Sequence, residues 1–331
     1  MKKRILGIVM AASMLIGAST AAMAADSLTL GTGGTTGTYY AVGGVMATVL
    51  NPVLKESSLT VTSTGASKAN IQLVDVGEAD LAIVQNDVMY YAFTGTDLFE
   101  EEGKYETFST VAGLYDETVQ IVTCDSSIAS VADLKGKTVS VGDAGSGTEF
   151  NAKQILEAYD MSFDDINVVN ASFGDSADSL KDGKIDAAFI VAGAPTTAVV
   201  DLATTKDVSL VQLDEEHIKK LQDSYDFYTE TVIPAGTYDG VDHDVHTVGT
   251  PQGCQTTTAL SQQDGYNICK AIFDEAKSVW QAAYPVGANN DLVELTLSST
   301  VPLHAGTVQY LTEIGVEVPE DLIPEEYVPV Q

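Results

Sequence analysis

The stretch Leu28-Thr-Leu-Gly-Thr-Gly-Gly-Thr-Thr-Gly-Thr-Tyr-Tyr-Ala-Val-Gly-Gly-Val-Met46 decides the fold of this chain. A short apolar strand from Leu28 to Leu30 leads into a loop of glycine and threonine. A helix is predicted from about Tyr39, because apolar residues then recur at helical spacing. The N–H groups of such a loop and the positive end of the helix dipole favour a small anion or carboxylate. The stretch therefore predicts an α/β unit with an anion-friendly loop.

Two nucleotide-binding patterns fail on this loop. The dinucleotide pattern G-x-G-x-x-G needs a third glycine where Thr36 stands, and no lysine follows Gly37 as the phosphate loop requires. An ordinary strand-to-helix turn remains an alternative for a single loop of this kind.

A second copy of the same pattern lies further along the chain. The strand Thr138–Val141 leads into Gly142-Asp-Ala-Gly-Ser-Gly-Thr148, and Gly77-Glu-Ala-Asp80 before an apolar strand is paralleled by Gly183-Lys-Ile-Asp186. Each half thus has a strand, a Gly-rich loop, a helix and a G-x-x-D strand. We predict two similar α/β lobes whose ligand groups gather at the carboxyl ends of the strands.

The N-terminus has the pattern of a secretory signal peptide. It has basic residues at the start, then an apolar run from Ile5 to Ala18, then Ala22-Met-Ala24. This pattern predicts cleavage after Ala24. Loss of Lys2, Lys3 and Arg4 would take the net charge from −31 to −34, which argues against nucleic acid as a partner. Arg4 is also the only arginine, so backbone amides, hydroxyls or lysines would have to hold a ligand carboxylate.

Cysteine and histidine give little indication of an enzyme. Three cysteines exclude a disulfide framework; Cys254 and Cys269 could pair, and Cys124 is expected to be buried in a strand. His243 and His246 could hold a metal, but the H-E-x-x-H spacing is absent and a surface loop fits as well. No cofactor is predicted for this chain. His304, which comes just before a predicted helix, is interpreted as a turn or capping residue.

The predicted binding residues belong to the two loops and to the strand ends beside them. Lys68 is the basic side chain nearest to this set in the sequence pattern, and Ser67 is expected near a helix N-cap. The predicted ligand-binding residues are Thr35, Thr36, Tyr39, Ser67 and Gln85 from one lobe, and Ser146, Gly147, Thr148, Asn151 and Gly193 from the other.

The motifs together resemble the TAXI-type solute receptors of tripartite ATP-independent periplasmic (TRAP) transporters. The resemblance is carried, in order, by Gly31-Thr-Gly-Gly-Thr-Thr-Gly-Thr-Tyr-Tyr, Gly77-Glu-Ala-Asp-Leu-Ala-Ile-Val-Gln-Asn-Asp, Asp133-Leu-Lys-Gly-Lys-Thr-Val, Gly145-Ser-Gly-Thr with Asn151-Ala, Ile233-Pro-Ala-Gly-Thr-Tyr and Val301-Pro-Leu-His-Ala-Gly. Thr36 stands where the family commonly has glycine, and Ala305 where it commonly has proline.

This resemblance implies a two-lobed, type II-like periplasmic binding protein that closes by hinge bending and is not an enzyme. It would deliver a glutamate- or glutamine-like amino acid or another small carboxylate to an ion-gradient-driven permease. We predict lobe 1 from residues 25–122 and 245–331 and lobe 2 from residues 123–244, with hinges near Val122 and Val245. A sensor of the same fold that signals to a membrane kinase, and an exported enzyme using His243 and His246, remain alternatives.

Overall fold

The computed structural model describes residues 27–52, 54, 58–275, 277–283 and 290–330. The predicted signal peptide, residues 1–24, lies outside these residues. Within the described part of the chain, no helix combines the length and apolar character needed to cross a bilayer.

Ten strands form one mixed sheet. In sheet order they run β2-β1-β3-β10-β4-β7-β5-β6, with β8 paired to β4 and β9 paired to β10. The strands are β1 Ser27–Gly31, β2 Ser58–Thr62, β3 Leu81–Gln85, β4 Phe108–Thr123, β5 Thr138–Ser140, β6 Asn167–Val169, β7 Ala187–Ala192, β8 Ser209–Val211, β9 Thr229–Ile233 and β10 Val245–Thr257.

Eleven α-helices are described around this sheet. They are α1 Thr38–Leu50, α2 Ser67–Asp75, α3 Asn86–Thr94, α4 Gly147–Ala158, α5 Phe173–Lys181, α6 Thr197–Ala203, α7 Glu215–Ser224, α8 Gln262–Lys270, α9 Lys277–Ala283, α10 Leu292–Leu297 and α11 Ala305–Glu313, and a π-helical stretch, Ala271–Glu275, follows α8.

Each half of the sheet is covered by helices on both faces. In β3, Leu81 and Ile83 join a core with α1 and α8, whereas Ala82 and Val84 join a second core with α2 and α3. Alternate residues of β7 likewise divide between one core with α4 and α7 and another with α5 and α6. Side chains alternate across a strand, so both faces of β7 and of β3 up to Val84 are apolar. The predicted two-lobed α/β fold is confirmed. We call the half with β1–β3 the first lobe and the half with β5–β7 the second lobe.

Two long strands run through both lobes. The apolar segments Val111–Tyr115 and Val119–Thr123 suggest two strands, but the structure has one strand, β4, of 16 residues. Thr118 pairs with Gly249 of β10 on one side and with Ala192 of β7 on the other, so β4 passes from one lobe into the other near this residue. The predicted lobe boundaries remain a prediction.

The two G-x-x-D motifs fasten neighbouring strands in the same way. The Asp80 N–H donates to the Thr29 carbonyl at 3.0 Å, and Oδ2 of Asp80 accepts from the Thr29 N–H at 2.7 Å. Asp186 repeats this arrangement on Thr138, also at 2.7 Å. Gly77 and Gly183 adopt φ values of +74° and +67°, which glycine tolerates best. The motif therefore sets the strand register behind each Gly-rich loop.

Candidate functional site

A cavity of about 460 Å³, part of it open to solvent, lies between the two Gly-rich loops. The first lobe and β4 contribute Gly33, Gly34, Gly37, Thr38, Tyr39, Ala66, Gln85 and Glu117. The second lobe contributes Asp143, Ser146, Gly147, Thr148, Phe173 and Val191. A cleft between two lobes is a typical position for a small-molecule site.

The first loop brings the N-terminus of α1 to the cavity. Gly37 occupies the N-cap position and has no side chain to satisfy the first turn of the helix. The N–H groups of Thr38 and Tyr39 have no acceptor within the helix, as at every helix start. Thr38 instead uses its hydroxyl to donate to the Gly193 carbonyl of the second lobe at 3.1 Å. This end of α1 is therefore available to an anion.

The second loop brings the N-terminus of α4 to the opposite wall. Ser146 caps the helix by accepting from the Glu149 N–H at 3.2 Å, and the Glu149 carboxylate accepts from the Gly145 N–H at 2.6 Å. The N–H groups of Gly147 and Thr148 remain without an intrahelical acceptor. A Cβ at position 147 would collide with Oε1 of Gln85, so only glycine allows α4 to approach β3 this closely.

Glu117 is the buried acidic side chain of the cavity wall. It is 2% exposed, and the Tyr115 hydroxyl hydrogen-bonds to its carboxyl. Burial, followed by the charge of Asp87, raises the pKa of the Glu117 carboxyl well above its usual value. Asp143 adds a second carboxyl to the wall, with its pKa also raised by burial.

No lysine or histidine lines the described part of the cavity. Lys68, the predicted basic neighbour, forms an ion pair with Glu102 at 2.7 Å and donates to the Leu98 carbonyl at 2.7 Å. The wall thus combines two helix N-termini with acidic side chains. Such a site is suited to a ligand that carries both signs of charge.

Behind the cavity, a buried hydrogen-bond network joins the two lobes. Asn151 of α4 accepts from Nε2 of Gln85 at 2.8 Å and donates to Asp87 at 2.8 Å and to the Tyr228 hydroxyl at 2.7 Å. Gln154 continues the network by donating to the Tyr91 hydroxyl at 2.9 Å. Burial raises the pKa of Asp87 to about 6. These bonds hold α3 against α4.

The structure brings some predicted binding residues to the cavity and places others behind it. Tyr39, Gln85, Ser146, Gly147 and Thr148 line the cavity. Ser67, Asn151 and Gly193 are buried next to lining residues: Ser67 accepts from the Gln85 N–H at 3.1 Å and lies 3.2 Å from the Tyr39 hydroxyl. Ser67 is the first residue of α2 and Ala66 is its N-cap, which differs from the expected cap position by one residue.

The last two predicted residues, Thr35 and Thr36, also lie outside the lining. Thr35 is exposed at the tip of the first loop. Thr36 lies against the second lobe, where a Cβ on Gly174 would be 3.1 Å from its hydroxyl. Neither of them belongs to the described cavity wall, although Gly33 and Gly34 before them and Gly37 after them do.

Sequence reasoning missed several residues of the wall. Glu117 follows Asp116 between two apolar runs of one strand, and two acidic residues in such a place are the signal that could find it. Asp143 lies inside the second loop pattern itself. Phe173 and Val191 reach the cavity through tertiary packing and carry no local signal.

The remaining candidates are placed as follows. His304 caps α11: its Nδ1 accepts from the Gly306 N–H and its Nε2 lies 3.1 Å from the Leu260 carbonyl, which confirms the capping role. His243 and His246 are exposed, and no group of three potential metal ligands occurs among the described residues. Cys254 and Cys269 are buried free thiols, and the prediction for Cys124 is wrong because it follows β4 and is partly exposed.

Comparison with known proteins gives a family and a set of structural neighbours. A structure from Bordetella bronchiseptica RB50 matches with a TM-score of 0.52 and 14% identity over 91% of this chain and 85% of that chain. The alkanesulfonate-binding protein from Xanthomonas axonopodis pv. citri bound to MOPS matches with a TM-score of 0.49 and 16% identity over 87% and 90%. A TRAP periplasmic solute binding protein from Sulfitobacter sp. NAS-14.1 with bound β-D-galacturonate matches with a TM-score of 0.48 and 12% identity over 88% and 87%.

At these identities the likeness concerns the fold alone. The family comparison is more specific, because the model of the NMT1-like family matches residues 30–315 and so includes both Gly-rich loops and all ten strands except the first residues of β1. This chain therefore belongs to the NMT1-like family.

Proposed function

We propose that this protein is an extracytoplasmic solute receptor. It is exported to the periplasm, loses residues 1–24, and captures a small carboxylate or amino acid between its lobes. The observation that carries this proposal is the cavity itself, since the N-termini of α1 and α4 face it from opposite lobes. Two helix N-termini aimed at one space favour a ligand carboxylate without any arginine.

The transport partner in this proposal is a TRAP permease driven by an ion gradient. Its support is the ordered series of motifs that resemble the TAXI-type receptors, from the first Gly-rich loop to Val301-Pro-Leu-His-Ala-Gly. The folded chain agrees with a receptor because each lobe contributes residues to the cavity and side-chain hydrogen bonds, such as that from Thr38 to Gly193, cross between the lobes.

A thermal-shift screen tests the receptor function. Protein spanning residues 25–331 is unfolded and refolded to remove copurified solute, then mixed with amino acids, dicarboxylates, sugars and metal ions. A solute at about 100 times its dissociation constant should stabilise the protein by ~2.7 kcal/mol. We expect Thr148→Ala, at the start of α4, to reduce this stabilisation, and Thr48→Ala, on the exposed side of α1, to leave it unchanged.

Uptake into vesicles tests the permease. The receptor and a TRAP permease from the same organism are reconstituted, and uptake of the solute found in the screen is followed. Uptake driven by an ion gradient without ATP is expected. A strict need for ATP would contradict the TRAP partner, and phosphorylation of a membrane kinase in place of uptake would favour the sensor.

A further inference from the structure

The contact between α3 of the first lobe and α4 of the second lobe is polar at its centre. Asp87 and Tyr91, one helical turn apart on α3, face Asn151 and Gln154 of α4. Nδ2 of Asn151 donates to Oδ2 of Asp87 at 2.8 Å, and Nε2 of Gln154 donates to the Tyr91 hydroxyl at 2.9 Å. These bonds join the two lobes, so a hinge motion that moves α4 away from α3 breaks them. We call this α3–α4 contact the latch.

Asp87 is fully buried in the latch, and its described hydrogen-bond donors are neutral. Its Oδ1 accepts from the Val88 N–H at 2.8 Å and from Nε2 of Gln85 at 3.4 Å, and its Oδ2 accepts from Asn151. Burial disfavours an ionised carboxyl relative to one in water, and neutral donors offset only part of that cost. Contact between the lobes therefore favours the protonated form of Asp87.

Among the described residues, no positive charge is recorded on this carboxyl. Lys68 of α2 pairs with Glu102 at 2.7 Å, and Lys153 of α4 lies 3.8 Å from Asp97. The titratable groups that interact with Asp87 are all neutral or negative: Glu117 of β4, Tyr39 of α1, Tyr91 of α3 and Tyr228 before β9. Burial raises the pKa of Asp87 to about 6 in this arrangement.

We propose that the latch makes closure of the receptor proton-linked: Asp87 takes up a proton when the lobes close and releases it when they open. This inference rests on the proposed receptor function and adds the regulation of the same site. In the open receptor water reaches Asp87, and its pKa returns towards the ordinary value near 3.9. A carboxyl that binds its proton more tightly in the closed state favours closure most at acid pH, and this advantage is lost as the pH rises through about 6.

The first test measures closure without any solute. The mature protein is freed of copurified solute by unfolding and refolding, and small-angle X-ray scattering gives the ratio of closed to open molecules at two pH values. We expect this ratio to be about 20-fold higher at about pH 4.5 than at about pH 7.5. Asp87→Asn removes the titration and should have the same ratio at both. Asp201→Asn, which removes an exposed carboxyl from α6, is the control and should keep the full change.

The second test moves the midpoint of the pH dependence. Asn151→Asp places a second carboxyl where an amide now lies 2.8 Å from Oδ2 of Asp87. Two carboxyls at such a distance share one proton, so the midpoint should rise above pH 6 by about one pH unit or more. Loss of a merely structural contact would lower closure at every pH and would leave the midpoint in place. Circular dichroism and the melting temperature verify that each variant folds.

The outcomes separate this inference from the function beneath it. The same ratio at both pH values in the unaltered protein, a pH dependence that Asp87→Asn retains, or a midpoint that Asn151→Asp leaves in place would overturn the proton-linked latch while the receptor function stands. The solute screen decides the receptor function separately, because the scattering measurement needs no solute.

Discussion

At the scale of single residues, Gly147 shows how one missing side chain positions a whole helix. The first turn of α4 lies so close to β3 that a Cβ on Gly147 would occupy the position of the Gln85 amide oxygen. Gln85 cannot easily move, because its Nε2 donates to Asn151 at 2.8 Å. The close contact between the lobes therefore depends on this glycine.

Replacement of Gly147 tests this dependence. We expect Gly147→Ala to push α4 away from Gln85 and to weaken solute binding by ten-fold or more, since overpacking costs about 1–3 kcal/mol. Titration calorimetry measures the affinity. Gly44→Ala, in α1 with nothing within 4 Å of its Cβ, is the control and should bind normally while stabilising the fold by about 0.5–1 kcal/mol. Normal binding by Gly147→Ala would show that the close approach is not needed.

At the scale of secondary-structure elements, the repeated G-x-x-D motif explains why both Gly-rich loops are built alike. Each aspartate holds the backbone of the strand that leads into its loop, Asp80 on β1 and Asp186 on β5. The loop starts from a strand whose position is fixed, and the helix after it follows from the loop. The aspartates of the motif therefore affect binding only by fixing the position of the strand that leads into each loop.

Removal of the aspartates tests their structural role. Asp80→Ala leaves the Thr29 N–H without its side-chain acceptor and should lower the free energy of unfolding by about 1–2 kcal/mol in chemical denaturation. Asp80→Asn keeps an oxygen at the same place and should retain most of the stability. The pair Asp186→Ala and Asp186→Asn should behave in the same way in the second lobe. Equal losses for alanine and asparagine would refute the hydrogen-bond explanation.

The strand–loop–helix units could be predicted from sequence because their signals are local. Glycine, apolar alternation and helical spacing place β1, α1, β5 and α4 to within a few residues. The continuity of β4 could not be predicted, because Asp116-Glu-Thr118 interrupts its apolar pattern as a turn would. The reason for that interruption is tertiary: Glu117 faces the cavity, and no local pattern reveals a cavity formed by distant segments.

At the scale of the whole molecule, the contact between the two lobes includes a titratable group, the carboxyl of Asp87. Asp87 of α3 accepts from Asn151 of α4 inside the buried network, and its pKa is raised to about 6 from 3.8. The folded protein therefore holds this proton more tightly than the unfolded chain does. The free energy of unfolding contributed by Asp87 is largest below pH 3.8 and is lost as the pH rises through 6.

The pH dependence of stability tests this coupling. Between pH 4 and pH 7 the contribution of Asp87 should fall by about 2 kcal/mol. Asp87→Asn removes this titration, so the difference in unfolding free energy between the unaltered protein and the variant should change with pH in that window. The measurement is urea denaturation at several pH values. A difference that stays constant with pH would show that Asp87 titrates normally.

Thr118, where β4 exchanges its partner strands, lies directly after Glu117. When two lobes rotate apart about a hinge, atoms close to the hinge move least and the tips of the loops move furthest. We therefore expect the Glu117 carboxyl to stay nearly in place in the open receptor while the N-termini of α1 and α4 separate. A solute would then meet the wall formed by β4 first, and the two helix N-termini would close on it afterwards.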